Sequence, residues 1–385
     1  MGGSGRIAVF FVTVLGVWTL MHLYAAWRLS PLAAATRLPS RLALGILAFL
    51  WLAYPLGRLL DRGSGGSPLA LALEYLGACW MGVLFLLVMA LVVADLLTGF
   101  GAWQRAAVPV RGGFAALALL LAAVGLVQGN RAPVVERHEL VLPGLPQALD
   151  GLRVCQLSDL HLGTILGDRW LAARLEQVRA LDPDLVVITG DLVDGNARHV
   201  EKLVPLLRTL RARLGVYAVT GNHEFYAGLE RSVALLEAAG FRVLRDTHVE
   251  VAPGLVLAGV DDLTARRQFG TKHQALDSAL QGRPPGACIL LSHTPWEVSR
   301  AQGLGVQLML SGHTHDGQIW PFGYLVRLSY PYLGGLYRVG SSTLYVSRGT
   351  GTWGPRMRLP RPAEITLFTL RAPGGTQAPS PRAGE

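Results

Sequence analysis

The sequence predicts an α-helical membrane region over residues 1–130, an α/β layered domain over 131–371 and a disordered tail over 372–385. Three observations predict it. Of the 385 residues, 51% are hydrophobic and only 16% charged, against roughly 25% charged in a typical soluble domain. The apolar excess is concentrated before residue 130, where four apolar runs follow one another. After residue 129, short apolar strands alternate with helical patterns, as they do in βαβ units. A chain disordered throughout is excluded, because such chains are poor in apolar residues and rich in charge.

The four runs cover 7–27, 42–57, 75–97 and 113–127. A helix needs about 20 apolar residues to cross the hydrocarbon core, with a working range of ~17–25. The first and third meet this outright; the second and fourth lie near the lower limit and read as short spans or re-entrant pieces. Pro55 in the second is tolerable in a membrane helix. Arg6 gives the first run a charged start, but the run exceeds the ~7–15 residues of a cleaved signal core, so it reads as a retained helix. Trp18, Trp27, Trp51 and Tyr54 suit either interfacial anchors or core packing. Glu74 and Asp95 bracket the third run and read as boundary residues whose carboxylates reach the headgroups, in preference to buried functional acids.

Residues 1–137 hold ten Arg, no Lys and four acidic residues, which is +6 of the chain's net +9. This charge flanks apolar segments, whereas a nucleic-acid surface shows a basic stripe on a soluble domain. Four spans place both termini on one side. Arg6, Arg58, Arg62, Arg131 and Arg137 flank that side, and Arg28, Arg37, Arg41, Arg105 and Arg111 the other. At five against five, the free amino terminus tips the reading towards a multi-pass protein of the cell membrane with a cytoplasmic C-terminal domain.

In the second region, strands are expected at 134–141 (an edge strand), 153–157, 185–189, 216–220, 255–260, 288–292, 307–311, 343–347 and 364–369. Helical spacing covers 170–181, 199–214 and 229–239, the last ended by Gly240. The tail from 372 is rich in Pro, Gly and Ser. Cys79, Cys155 and Cys288 are odd in number and form no CxxC, so neither a disulfide framework nor a cysteine zinc site is signalled.

The polar residues that follow the strands carry the chemistry. They are Ser158-Asp159-Leu160-His161, Thr189-Gly190-Asp191, Thr220-Gly221-Asn222-His223-Glu224, Ser292-His293 and Ser311-Gly312-His313-Thr314-His315. Ligands of α/β sheets bind beyond the carboxyl ends of strands, so two Asp, one Asn and five His converge on one rim. Any one of these residues alone reads as a turn or a cap. Together, carboxylate, imidazole and amide oxygen form the ligand set of divalent transition metals. With no cysteine among them, a hydrolytic site is favoured over a structural zinc site.

With these five blocks the chain resembles the calcineurin-like metallophosphoesterases, whose ordered signature is DxH, GD, GNH(E/D), H and GHxH. The resemblance covers about 136–370 and looks closest to a membrane-linked bacterial branch, judging by Leu157-Ser158-Asp159-Leu160-His161-Leu162, by Gly312-His313-Thr314-His315 running to Gln318, and by Pro362-Ala363-Glu364-Ile365-Thr366-Leu367. It implies a β-sandwich flanked by helices. It implies that Asp159, His161, Asp191 and His315 hold one divalent metal and Asp191, Asn222, His293 and His313 a second, with Asp191 shared. Mn, Fe, Zn and Ni are the candidate ions. Two ions ~3.5–4 Å apart stabilise the attacking and leaving oxygens of an in-line displacement and lower the pKa of the attacking water. His223 matches the histidine beside the phosphoryl group, which stabilises developing charge or protonates the leaving group. Glu224 either orients it or caps the next helix. Asp316 stands where the pattern has Gly.

The expected function is a membrane-anchored dimetal phosphoesterase hydrolysing a phosphodiester or phosphoanhydride bond. Anchorage in the lipid bilayer points to a lipid-linked phosphate-ester substrate. The alternatives are a nuclease or cyclic-nucleotide phosphodiesterase, and a catalytically silent metal-binding scaffold or sensor. The weak basicity of the second region argues against nucleic acid, and the complete ligand set argues against a silent scaffold. Thr189 and Ser158 read as structural. His199, His248 and His273 belong to no block and read as surface or packing residues. Trp320, Tyr324, Tyr330, Tyr332 and Tyr337 after the last block form either a packed loop or a surface for an acyl chain or membrane.

Overall fold

The structure is a computed structural model that describes residues 3–35, 39–64, 67–270 and 274–374. Arg37, His273 and the tail beyond residue 374 lie outside the described residues. Four long helices come first: α1 (Gly3–Ala35), α2 (Ser40–Ser64), α3 (Pro68–Leu97) and α4 (Gln104–Asn130). Among the described residues, Arg41–Asp61, Pro68–Leu97 and Arg105–Asn130 are long and apolar enough to cross a membrane. The second and fourth runs are therefore longer than hydropathy suggested. In α4 the helix continues through Arg111, because that charge is met inside the bundle by Asp95 at 2.8 Å.

This pairing corrects the boundary reading of the two carboxylates. Asp95 is fully buried between Arg28 (2.6 Å), Arg111 and the Tyr24 hydroxyl, which donates to it at 2.7 Å. Glu74 is buried at 2% exposure and pairs with Arg58 at 2.9 Å. Both residues satisfy their charge inside the protein instead of reaching for headgroups. The bundle is tight at this end: a Cβ on Gly77 would lie 2.3 Å from the Tyr54 nitrogen, and one on Gly57 2.5 Å from that of Glu74. Small residues allow helices in an apolar setting to approach this closely. The aromatic residues divide. Trp18 is buried and donates to the Trp51 carbonyl, whereas Trp27 is exposed, with the Arg28 guanidinium 3.5 Å from its ring.

The second region holds twelve strands among the described residues: β1 (Val134–Val141), β2 (Leu152–Leu157), β3 (Leu185–Thr189), β4 (Val216–Val219), β5 (Arg242–Val243), β6 (Thr247–Ala252), β7 (Leu255–Gly259), β8 (Ala287–Leu291), β9 (Leu308–Ser311), β10 (Gly335–Val339), β11 (Ser342–Val346) and β12 (Glu364–Arg371). They form two six-stranded sheets, in the orders β1-β12-β2-β3-β4-β5 and β10-β11-β9-β8-β7-β6. The runs β2-β3-β4 and β7-β8-β9 are parallel, as βαβ units require. Val154, Leu185 and Val187 of the first sheet pack against Leu257, Ile289 and Leu310 of the second in one core. The outer faces carry helices: Leu171, Leu175 and Val178 pack beneath the first sheet, and Leu276, Ala279 and Val298 beneath the second. The domain is thus a β-sandwich flanked by helices, as expected, with β1 at a sheet edge.

Three strands escaped the sequence reading. β5 has two residues, and β6 and β10 expose much of their surface, so none presents an apolar run. The helical pattern at 199–214 is in fact two short helices, Ala197–Glu201 and Val204–Leu207. Pro205 sits in the first turn of the second, where its missing N–H costs nothing but no helix can continue into it from before. Ala372 is buried and its amide donates to Asp150 Oδ1 at 2.9 Å, so the chain is held to that point.

The bundle and the sandwich share an apolar contact. Met357 is fully buried with Leu84, Leu87 and Ala122 of α3 and α4. Glycines make room for it: a Cβ on Gly82 would lie 2.5 Å from Met357 Sδ, and one on Gly129 2.5 Å from the Arg356 carbonyl oxygen. The Arg358 amide then donates to the Gly125 carbonyl at 3.0 Å.

Candidate metal centre

All five polar blocks follow the carboxyl ends of β2, β3, β4, β8 and β9, and the two sheets bring them together. Asp159, His161 and His315 place one ligand atom each within 4.8 Å of one another, and Asp191, His293 and His313 do the same beside them. Asp191 Oδ2 reaches both groups, lying 3.1 Å from His293 Nε2 and 3.8 Å from His161 Nε2. Asn222 Oδ1 is 3.3 Å from His293 Nε2. His161 Nε2 lies 3.1 Å from His315 Nε2, which is 3.3 Å from Asp159 Oδ1. The seven expected ligands therefore form one cluster.

The donor chemistry fits a cation. His293 Nδ1 donates to the Thr189 carbonyl at 2.7 Å, which in the neutral ring leaves a lone pair on Nε2. That nitrogen faces the Asp191 carboxylate, the Asn222 amide oxygen and His313 Nδ1 at 3.2 Å. A lone pair directed at other acceptors needs either a proton or a metal ion between them. Fixing one ring nitrogen by a carbonyl so that the other faces the ion is the usual arrangement around ligating histidines.

The backbone is bent to aim these groups. Asp159, His161, Asp191, His313 and His315 all take positive φ, between 47° and 72°. Non-glycine residues in this region are uncommon and collect at functional sites. Asp316 also has φ 53°, which explains why the family pattern has Gly there; Asp tolerates this conformation better than most residues. Ser158 Oγ donates to Asp159 Oδ2 at 2.5 Å, and the His313 amide to Asp159 Oδ1 at 3.1 Å. Ser158 and Thr189 are thus structural, as expected, and both act on ligands.

Charge follows from this crowding. Burial alone raises a carboxyl pKa, but the charges of His293 and His223 outweigh it and hold Asp191 well below the usual range. Burial, reinforced by neighbouring His293, pushes His313 down to about 3; burial and His223 do the same to His161, also to about 3. Neutral imidazole is the form that binds a metal; His293 stands apart, because the Asp191 carboxylate outweighs burial and raises its pKa well above the usual imidazole value.

His223 stands beside the cluster, its ring centroid 4.6 Å from that of His161. Its Nδ1 contacts Asp194 Oδ1 at 3.0 Å, which leaves Nε2 for the site. Burial opposes its charged form, yet Asp191 and Asp194 outweigh burial and hold its pKa at about 9. Asp194 was missed in the sequence reading, although it stands three residues after Asp191 in the same loop. Glu224 caps the helix Asn222–Ala227 by accepting from the Gly221 amide at 2.7 Å. It also accepts from the Asp191 and Val193 amides at 3.0 and 2.9 Å. It braces the Asp191 loop and does not orient His223.

Arg358, also missed, is buried behind the cluster. It donates to the Gly351 carbonyl at 2.6 Å and lies 3.4 Å from His315 Nδ1. A lone Arg in a Pro- and Arg-rich stretch offers no sequence signal. Of the other histidines, His199 pairs with Asp61 of α2 at 2.9 Å, and His248 Nδ1 donates to the Ala279 carbonyl at 2.8 Å. The aromatic run after His315 splits. Tyr332 and Tyr337 pack on each other, Tyr330 stands 4.7 Å from the His313 ring, and Trp320 and Tyr324 are exposed.

Comparison with known proteins points to a family. The family model for calcineurin-like phosphoesterase matches residues 152–317, a stretch that contains all seven clustered residues and His223. The transmembrane protein with metallophosphoesterase domain of Danio rerio is 39% identical over 271 residues, which is 66% of this chain and 62% of that protein. The chain thus spans somewhat under two thirds of that relative. An uncharacterized metallophosphoesterase of Aquifex aeolicus is 36% identical over 247 residues, 62% of this chain and 92% of that protein. Among solved structures, a putative 5'-nucleotidase from Staphylococcus aureus matches with a TM-score of 0.37 at 13% identity, covering 60% of this chain and 56% of that one. With 92% of the Aquifex protein covered at 36% identity and the family model matching 152–317, the chain belongs to the calcineurin-like metallophosphoesterase family.

Proposed function

We propose that this protein is a multi-pass, membrane-anchored dimetal phosphoesterase that hydrolyses a phosphodiester or phosphoanhydride bond of a lipid-linked substrate. The observation that carries the hydrolase reading is the cluster of seven convergent ligand atoms with His223 at its edge. Asp159, His161, Asp191 and His315 would hold one ion, and Asp191, Asn222, His293 and His313 the other. Two such ions supply Lewis acidity to the phosphoryl oxygens and acidify the attacking water.

The protein's own groups do the rest. Asp191 lies between the two groups and supplies negative charge to both, while Asn222 adds an oxygen without adding charge. Thr189 fixes the tautomer of His293, and Ser158 and the His313 amide fix Asp159. As water bonds to phosphorus and the opposite P–O bond breaks, His223 Nε2 passes its proton to the departing oxygen. Asp194 on Nδ1 keeps the imidazolium charged and aimed.

The lipid element rests on the surroundings. Tyr226 and Trp353, both about half exposed, flank His223 at 5.5 and 6.0 Å between ring centroids. Phe322, from the loop that follows the last histidine block, meets Phe85 of α3 edge-on at 5.7 Å. An apolar rim beside a phosphate site, joined to helices of membrane length, suits a headgroup carried on acyl chains.

The test is Mn²⁺-dependent hydrolysis of a chromogenic phosphodiester, a chromogenic monoester and a diacylglycerol-linked phosphodiester by the full chain in detergent, beside Asp191→Ala. Activity lost in the variant, with the lipid diester turned over fastest, is the expected result. Preference for the soluble diester would remove the lipid element. Folded protein that binds no metal would remove the enzyme reading.

A further inference from the structure

Helix α2 does more than cross the apolar layer: its last turns reach the loop that carries Asp194. Arg58 donates to Glu74 at 2.9 Å, and its guanidinium also lies over Gly195. A Cβ built on Gly195 would sit 2.5 Å from one guanidinium nitrogen and 2.7 Å from the other. Gly195, at φ 65°, has no side chain to hold the arginine off, so the guanidinium can lie this close. One turn further, Asp61 takes His199 at 2.9 Å, with both side chains largely buried at 6% and 12% exposure. The segment from 194 to 199 is therefore gripped by α2 at both ends. On the other side, the Asp194 amide donates to the Leu162 carbonyl at 2.9 Å, and its carboxylate holds His223.

We propose that Arg58 is a positioning residue for the Asp194–His223 pair, so that the helix bundle completes the proton-donating arm of the site. This rests on the phosphoesterase reading above. Arg58 is far from the ligand cluster in sequence and directly follows an apolar run, yet it covers the residue next to Asp194. Loosening that loop lets the Asp194 carboxylate drift and His223 lose its aim at the leaving oxygen, while the seven ligands keep their places. The defect grows with the need of the leaving group for a proton.

The experiment uses the full chain in detergent with Mn²⁺ and a matched pair of methyl aryl phosphodiesters, one releasing p-nitrophenolate and the other phenolate. Arg58→Ala strips buried Glu74 of its partner, so Arg58→Met/Glu74→Gln is measured beside it. Both variants are expected to lower kcat about tenfold on the phenolate ester and under about threefold on the nitrophenolate ester, the range of outer-shell changes. KM and bound Mn²⁺ stay as in the parent, and Arg58→Lys recovers most of the loss. Equal losses on both esters, or no loss, would overturn the proposal. Hydrogen exchange of the metal-free chain gives a second readout that needs no turnover. Peptides spanning 192–200 should exchange about threefold faster or more in both variants, with those spanning 308–318 unchanged. Unchanged exchange at 192–200 would sink the proposal even if the parent hydrolysed neither ester, an outcome that by itself tells against the phosphoesterase reading.

Discussion

At the far end of the helix bundle Asp95 is closed in by Tyr24, Arg28 and Arg111, all parts of the bundle itself. At the near end Glu74 meets Arg58, whose guanidinium also covers Gly195 of the second domain. Both ends bury a carboxylate against arginine, and both keep the charge compensated within the protein. The far cluster is closed on itself, so its loss is felt as stability. The near one is shared with the loop that carries Asp194, so on the reading proposed above its loss is felt as chemistry. The same pair type in an apolar helix therefore means different things according to what the second face of the arginine touches.

The largest expected effect breaks the near arm at its tip. His223→Gln should lower kcat by roughly 10²–10⁴-fold, as loss of a general acid does, with bound metal and melting temperature retained. A smaller loss, equal for good and poor leaving groups, would remove His223 from proton transfer. Next, Asp95→Ala leaves two buried guanidinium groups facing each other and should cost about 3–5 kcal/mol, read as a lower melting temperature in detergent. The kcat of protein still folded should not change. A fall in kcat without a fall in stability would erase the distinction between the two ends.

A third change acts where the bundle grips the sandwich. Gly129→Ala drives a Cβ to 2.5 Å from the Arg356 carbonyl and 2.7 Å from Met357 Cα, atoms of backbone that cannot rotate away. About 1–3 kcal/mol of destabilisation is expected, with weaker Mn²⁺ retention because Arg358 backs His315 from that segment. Gly16→Ala, whose Cβ meets nothing within 4 Å, is the control and should be neutral.

The smallest effect is a pH limb. Because Asp191 and Asp194 outweigh burial and raise His223 from 6.5 to about 9, its proton is present at neutral pH and leaves as pH rises through about 9. Turnover of a poor-leaving-group ester should fall about tenfold per pH unit above that point. Asp194→Asn should move the limb to lower pH; an unmoved limb would assign it to another group.

Much of the site was legible because its chemistry is local to strand ends. Asp159, Asp191, Asn222 and the histidines each follow an apolar run that ends abruptly, and that pattern survives in one dimension. The family resemblance that the blocks carry implied the ligand sets, and the two sheets bring those residues together. Asp194 could have been read from the same loop. Arg58, Asp61 and Arg358 could not: Arg58 and Asp61 meet Gly195 and His199 more than a hundred residues away, and nothing in a Pro- and Arg-rich stretch announces that Arg358 backs His315. The strands β6 and β10 were invisible for a related reason: their pairing partners, not their own side chains, make them strands.

The sequence by itself determined the division into apolar helices and an α/β sandwich, and the residue types at each strand end. Those follow from periodicity, run length and side-chain chemistry, which are properties of short segments. Tertiary structure alone decided that α4 runs on past Arg111, that Glu74 and Asp95 are buried, and that α2 closes over the Asp194 loop. Each of these depends on a charge meeting its opposite across the fold, or on a glycine making room for a distant side chain. Such compensation is set by proximity in space, and proximity is what a linear pattern of hydrophobic and polar residues does not carry.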